Sequence, residues 1–313
     1  MLTAYLNILV IFILIFIGYL LTYRQWFNNQ VADAFSKLVL NIALPCSMFL
    51  NITKQFSKAE FIQLFSGMLI PLLSMSITLL ISYFYGKITK VKTGRLGSFT
   101  TMATCSNTIF IGLPINLAIF GEISVPFVLL YYIVNTTFFW TVGVFLIAKD
   151  NPQAETAQIS FHPLTALKKI FSPALLGFII GLLWILTEVP VPSMLQTLSS
   201  YLGQLTTPLS MFVIGIIIYY TGIRNLKLNK DIVGVLIGRY LLSPLIVWLI
   251  SHFVKVPELM LNVFIIQSAM PIQNSVPILV RNYDADVDFA ASSLAYSILL
   301  YLIYIPLLLL IIL

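Results

Sequence analysis

The sequence predicts an all-α polytopic membrane protein: ten transmembrane helices in two inverted five-helix repeats, with helices 4 and 9 broken. Three observations carry this reading. The 313 residues are 59% hydrophobic and 9% charged, with a mean hydropathy of +1.00, against ~45–50% and ~25% in ordinary soluble domains. Ten apolar windows follow one another, each close to the roughly 20 residues that a bilayer core requires. A shift of the chain by 163 residues brings three separate motifs into register without a gap. So little charge cannot cover a globular surface, which excludes a soluble enzyme, a disordered chain and a disulfide scaffold. Ten spans of about 24 residues use about 240, which leaves short loops and no room for an appended soluble domain.

Taken in order, the windows are 2–22, 33–51, 62–86, 96–120, 124–148, 169–188, 194–221, 231–253, 257–281 and 286–312. The first reads MLTAYLNILVIFILIFIGYLLT and lacks a basic start and a small-residue cleavage site, so it is expected to remain as a span. The second and seventh carry Pro45 and Pro208 near their middles. The third ends on a basic loop, the eighth holds Arg239 well inside its apolar run, and the tenth is continuously apolar. Such a run contradicts the alternating segments of a β-barrel, and helices pair every backbone polar group within one segment.

With the N-terminus outside, thirteen Lys and Arg fall in inner loops: Arg24, Lys37, Lys87, Lys90, Lys92, Arg95, Lys149, Lys168, Lys169, Arg224, Lys227, Lys230 and Arg281. Outer loops hold three, Lys54, Lys58 and Lys255. This bias places both termini outside the cytoplasm. It also accounts for the net charge of +6 without nucleic acid as a partner, because the cations are spread along the chain.

The shift of 163 lays Pro45-Cys-Ser47-Met48-Phe49 on Pro208-Leu-Ser210-Met211-Phe212. It also lays Gly112-Leu-Pro114-Ile115 on Ser275-Val-Pro277-Ile278, and Ile17-Gly18-Tyr-Leu20 on Ile180-Gly181-Leu-Leu183. Spans 3 and 8 follow only with an insertion. The chain divides into residues 1–150 and 151–313, five spans each; an odd number turns the second repeat upside-down. Inverted repeats with interrupted helices are the mark of secondary transporters.

Spans 4 and 9 contain Cys105-Ser-Asn107-Thr108-Ile-Phe110-Ile-Gly112-Leu-Pro114 and Gln267-Ser268-Ala-Met-Pro271-Ile-Gln273-Asn274-Ser275-Val-Pro277. Proline removes an N–H and clashes with the carbonyl four residues back, so breaks are expected at Pro114 and Pro277, with Gly112 and Ser275 allowing the chain to unwind. Each proline suits the start of a new half-helix. The half-helix N-termini, with Asn107, Thr108, Gln273 and Asn274, would then offer partial positive charge and amides to a small organic anion. The alternative is a pair of proline kinks whose amides bond neighbouring helices.

All eleven acids lie in loops or at span ends, so no carboxylate stands mid-span to relay protons or hold sodium. Proton coupling stays open through the substrate's own carboxyl or through Asp33 and Glu122 near span ends, and the co-transported ion is expected to be a proton or sodium. Arg239 either counters substrate charge, gates or braces the interior, or snorkels to the headgroups. Tyr131 and Asn135 share one face of span 5, with Thr136 beside them, and either complete a cavity or join helices. Pro45 and Pro208 are gating or structural. His162 and His252 read as solvated surface, and Cys46 and Cys105 lie in apolar stretches. No nucleophile–base pair, phosphate loop or metal cluster appears, so neither an enzyme, a cofactor nor a metal site is expected.

Asn107-Thr108-Ile-Phe-Ile-Gly112-Leu-Pro114 resembles the fourth-span motif of the auxin efflux carrier family, which includes plant PIN carriers and bacterial malate or malonate permeases. Pro271-Ile-Gln-Asn274-Ser-Val276-Pro277 with Arg281-Asn-Tyr283 is similar to its ninth span, and Gly238-Arg239-Tyr-Leu-Leu-Ser-Pro244 to its eighth. The resemblance implies the inverted-repeat fold of bile-acid symporters and sodium–proton antiporters. Spans 1, 2, 6 and 7 would form a scaffold, and spans 3–5 and 8–10 a transport unit. It further implies a substrate carboxylate at the crossover, an Asn at the place of Asn107 as one contact, elevator-like movement, and homodimers through the scaffold. Ser106 stands where plant members tend to carry proline, Tyr131 and Asn135 depart from those members, and the 149–168 loop is short. A bacterial plasma-membrane carrier of malate-like carboxylates is the closer match. An amino-acid or auxin-like exporter, a transport-inactive sensor and an intramembrane enzyme are the alternatives.

Overall fold

The structure is a computed structural model that describes residues 2–55, 67–151, 173–222 and 228–312. The expected positions Lys58, Glu60, His162, Lys168, Lys169, Arg224 and Lys227, and the starts of spans 3 and 6, lie outside these residues. Regular structure among the described residues is helical, apart from one isolated antiparallel bridge. In chain order the helices are α1 (Leu2–Tyr23), α2 (Asn29–Lys54), α3 (Leu69–Ile88), α4 (Leu96–Thr104), α5 (Thr108–Phe120) and α6 (Glu122–Ala148). They continue with α7 (Pro173–Leu186), α8 (Ser193–Tyr220), α9 (Lys230–Ser251), α10 (Glu258–Ser268), α11 (Val276–Asn282) and α12 (Val287–Ile312). Seven of these, α1, α2, α3, α6, α8, α9 and α12, are long and apolar enough to cross a membrane.

The helices carry large apolar side chains on outer faces where a soluble bundle would carry polar ones. On α3, Ser74, Thr78 and Ser82 are spaced four apart and buried, whereas Leu69, Leu72, Leu80 and Phe84 are exposed. On α1, Ile8, Ile11 and Ile15 turn inward while Leu6, Leu9, Val10, Ile13 and Phe16 lie outside. Apolar faces of this extent are stable against lipid and not against water, and small polar residues let helices approach closely.

The chain forms two compact units. The first comprises residues 1–67, 109–130 and 171–220, and the second comprises 68–108, 131–170 and 221–313. In the first unit, glycines bring backbones together. A Cβ on Gly18 of α1 would lie 2.8 Å from the Phe212 backbone of α8, and one on Gly181 of α7 would lie 3.2 Å from the Phe49 carbonyl oxygen of α2. The 163-residue shift carries Gly18 onto Gly181 and Phe49 onto Phe212, so the two contacts are reciprocal. The same holds for Gly215, whose Cβ would lie 2.9 Å from the Gly18 carbonyl carbon, and for Ile52, whose Cγ2 would lie 3.1 Å from a Cβ on Gly181.

Among the described residues four π-helical turns interrupt the α-helical pitch, at Val39–Ala43, Thr108–Gly112, Phe139–Gly143 and Gly238–Leu242. Three stand just before a proline: Pro45, Pro114 and Pro244. A proline inside a helix leaves the carbonyl four residues back unused and crowds it; a wider turn moves that carbonyl aside. In α9 the carbonyl in question belongs to Tyr240, and the Tyr304 hydroxyl donates to it at 2.6 Å. Pro45 is thus accommodated within α2, and its carbonyl oxygen would lie 2.4 Å from a Cβ on Gly177. Pro208 sits in the first turn of the Thr206–Thr221 segment of α8.

The second unit is pinned at the start of α4. The buried Asp150 carboxylate accepts from Gly97 N at 2.8 Å and from Ser98 N and Oγ at 2.6 Å each. Burial pushes the Asp150 carboxyl up, and the Ser98 and Gly97 hydrogen bonds pull against that rise. Arg95, next to this cap, pairs with Asp231 at 3.2 Å and Asp286 at 2.7 Å, and lies over the Phe289 ring. It thereby joins the starts of α4, α9 and α12.

Candidate functional site: the crossing of two broken helices

Both expected broken spans are broken, but the first break is displaced. α4 ends at Thr104, Cys105 is extended, and the helix resumes at Thr108 rather than at Pro114. Pro114 lies inside the continuous α5, in the second position after the π-turn, and Gly112 is part of that turn and not of an unwound stretch. In the ninth span α10 ends at Ser268, and α11 starts at Val276 with Pro277 in its first turn. Gln273 does not leave its carbonyl free: it accepts from Val276 N at 3.1 Å.

The reason for the displacement is tertiary. Ser106 and Ile272 form an antiparallel backbone bridge, and Asn107 N donates to the Pro271 carbonyl at 2.8 Å. Two extended segments far apart in sequence therefore cross and pair. Local proline rules carry no knowledge of that partner.

Side chains complete the pairing. Asn135 of α6 is fully buried; its Oδ1 accepts from Ser106 N and its Nδ2 donates to the Ser106 carbonyl, both at 2.9 Å. The amide thus takes the place of a neighbouring strand. Nδ2 also donates to Gln273 Oε1 at 3.4 Å. Ser106 Oγ donates to the Gln267 carbonyl at 2.9 Å, and Gln267 Nε2 to the Thr108 carbonyl at 3.3 Å. From α12, Ser297 Oγ accepts from Ile272 N at 3.2 Å, while its carbonyl accepts from the Tyr240 hydroxyl.

The expected residues thus divide. The second unit holds Asn107, Thr108, Asn135 and Gln273 at the crossing, with Tyr131 one turn before Asn135 on α6; all but Gln273 are buried. Asn274, Ser275 and Pro277 lead into α11 and are partly exposed. Gly112 and Pro114 belong to the first unit, where Asn116 Nδ2 donates to the Gly112 carbonyl at 2.7 Å. Arg239 does not snorkel: it is 0% exposed in α9, and its Nη2 donates to the Ser268 carbonyl at 2.5 Å and to Ser243 Oγ at 3.1 Å.

Sequence reasoning passed over Ser106, Gln267, Ser268, Ser243 and Ser297. Serines are ordinary in membrane helices, so only Gln267, a large amide in an apolar run, offered a signal.

An all-helical chain with lipid-suited faces and paired extended segments inside two broken helices defines a polytopic membrane protein with a polar crossing. The model of the membrane transport protein family matches residues 3–309. The chain belongs to that family, the auxin efflux carrier family its motifs resemble. It is 24% identical over 306 residues to an uncharacterized transporter of Methanothermobacter thermautotrophicus, covering 96% of each chain. It is 25% identical over 292 residues to an uncharacterized transporter of Methanocaldococcus jannaschii, covering 92% of each.

Proposed function

We propose that this membrane transporter is a secondary carrier of small organic anions, with malate-like carboxylates as substrates. In this reading ten spans form two inverted repeats in the cell membrane, both termini lie outside, and the chain acts as a homodimer. The crossing of the broken helices holds the anion, and the part of the chain that contains it moves as a body, in the manner of an elevator. The observation that carries the reading is the Ser106–Ile272 bridge. It keeps irregular backbone paired inside protein, which supports the reading because a bilayer core tolerates such backbone only there or beside a watery cavity. The reciprocal glycine contacts of the first unit support the inverted repeat, because one pseudo-two-fold relation generates both.

Asn107 stands at the start of the 13-residue α5, where backbone N–H groups and the helix dipole favour negative charge. With Thr108, Gln273, Asn274 and Ser275 it would orient a carboxylate. In proteoliposomes, Asn107→Ala is expected to lower uptake of malate at least about 10-fold, with the variant still folded by size-exclusion chromatography; a lost carboxylate contact of about 1.5–3 kcal/mol corresponds to that change. Unchanged uptake kinetics in Asn107→Ala would remove Asn107 from the site.

A further inference from the structure

Arg239 is a cation with an unfinished shell. Its side chain is wholly buried, and Nη2 alone is bonded, to the Ser268 carbonyl and to Ser243 Oγ. Nε and Nη1 meet no acceptor among the described residues. The ionisable groups that act on it are Tyr131, Cys105, Tyr240 and Tyr304, with no carboxylate among them. The Ser268 carbonyl closes α10, so the negative end of that helix dipole offsets part of the charge. A buried guanidinium ordinarily has a full anion beside it.

Other buried polar atoms of the second unit are incompletely paired too. The Tyr131 hydroxyl, buried in the same electrostatic neighbourhood, has no partner beyond the Ser243 side chain, and Gln267 Oε1 has no hydrogen-bond partner among the described residues. Gln267 is a crossing residue and adjoins Ser268, the residue at which α10 ends.

We infer that Arg239 is the counter-charge of the transported anion, and that its Nε and Nη1 groups, with the Tyr131 hydroxyl, receive an ionised carboxylate at the crossing. The inference rests on the organic-anion reading and narrows it. A neutral isostere leaves the guanidinium uncompensated, so discrimination is by charge. The ammonium of a zwitterionic amino acid and a co-transported sodium ion are both repelled at the same spot. Arginine suits this task because its charge is permanent and its donors are fixed in a plane.

The test uses the purified full-length protein and its thermal stabilisation by malonate and by malonamide, the uncharged diamide of the same size. Wild type is expected to be stabilised by malonate alone. Arg239→Lys keeps the charge and loses the planar donors, and should need about 10-fold more malonate for the same effect. Arg239→Gln should need more than about 30-fold, while Tyr131→Phe, which removes one hydroxyl, should shift the midpoint about 3–10-fold. Wild-type midpoints for malonate in Arg239→Gln overturn the inference; should that variant not fold, wild-type midpoints in both Arg239→Lys and Tyr131→Phe do so. Equal stabilisation of wild type by malonate and malonamide overturns it as well. If wild type neither binds nor takes up any carboxylate of a broad panel, the organic-anion reading itself falls. Wild-type uptake with an indifferent Arg239→Gln leaves that reading standing and removes only the role of Arg239.

Discussion

At the scale of residues, the crossing depends on Asn135 more than on any proline. One primary amide answers both the N–H and the C=O of Ser106; the carbonyl also accepts from Thr108 N at 3.0 Å, so it is the N–H that would be buried without a partner. An unpaired buried group costs about 1–3 kcal/mol. Asn135→Leu is therefore expected to destabilise the protein by about 1–3 kcal/mol, read as a lowered melting temperature in detergent. Asn135→Asp should cost nearly as much, since a carboxylate cannot donate to the Ser106 carbonyl; a wild-type melting temperature for either variant would contradict the account. The amides Asn107, Asn135 and Gln273 were legible as candidates because an amide in an apolar run needs a reason. Which of them would brace the chain was not, since Asn135 and Ser106 are brought together by packing. Asp150 shows the same limit: its place at a span end was legible, but its capping partners lie 52 and 53 residues away.

At the scale of elements, proline has several outcomes in this chain, and Pro306 lies inside α12 with neither a π-turn nor a break. Before Pro45, Pro114 and Pro244 the helix widens by a π-turn and continues; in the ninth span the chain opens from Ala269 to Ser275. Under the 163-residue shift the π-turn of α5, Thr108–Gly112, corresponds to residues 271–275, which are unwound. Positions that the shift brings into register thus differ in their backbone. Sequence reasoning identified both broken spans but misplaced one break, because the proline rule is local and the pairing of Ser106 with Ile272 is not. Where a π-turn is used, the displaced carbonyl needs a donor. Tyr304→Phe, which removes the donor to the Tyr240 carbonyl, should cost about 1 kcal/mol. Pro244→Ala restores an ordinary turn, so the double variant should lose less than the sum of the singles in a double-mutant cycle. Strict additivity would show that the tyrosine acts elsewhere.

At the scale of the molecule, charge is scarce and unevenly used. The apolar excess and the ten windows were enough to read an all-helical membrane protein, since lipid imposes one requirement on every span. Clustering of the polar ends within the second unit was not visible, because Arg95, Asp231 and Asp286 come from three separate helix starts. Burial would raise the Asp286 carboxyl, but the Phe289 N–H, the Arg95 guanidinium and Lys92 together hold it below its ordinary 3.8. A carboxyl that ionises at lower pH in the folded chain than in the unfolded one adds stability that is complete above the unfolded value. That stability drains as the pH falls through the folded value. Asp286→Asn should therefore melt below wild type at neutral pH, and the gap should close as the pH is lowered past about 4. A gap that stays constant from pH 7 to pH 3 would mean that the ion pair contributes nothing.

The distances along the chain also set an order of assembly. Ser106 and its partner Gln267 are separated by 161 residues, whereas Asn135 follows Ser106 by only 29. During synthesis the first broken helix enters the bilayer long before the segment that will cross it exists. In that interval Asn135 can already occupy both hydrogen-bonding groups of Ser106, as a stand-in for a strand still unmade. The amide that braces the finished crossing is thus also the group able to keep its first half sheltered from lipid while the second half is being translated.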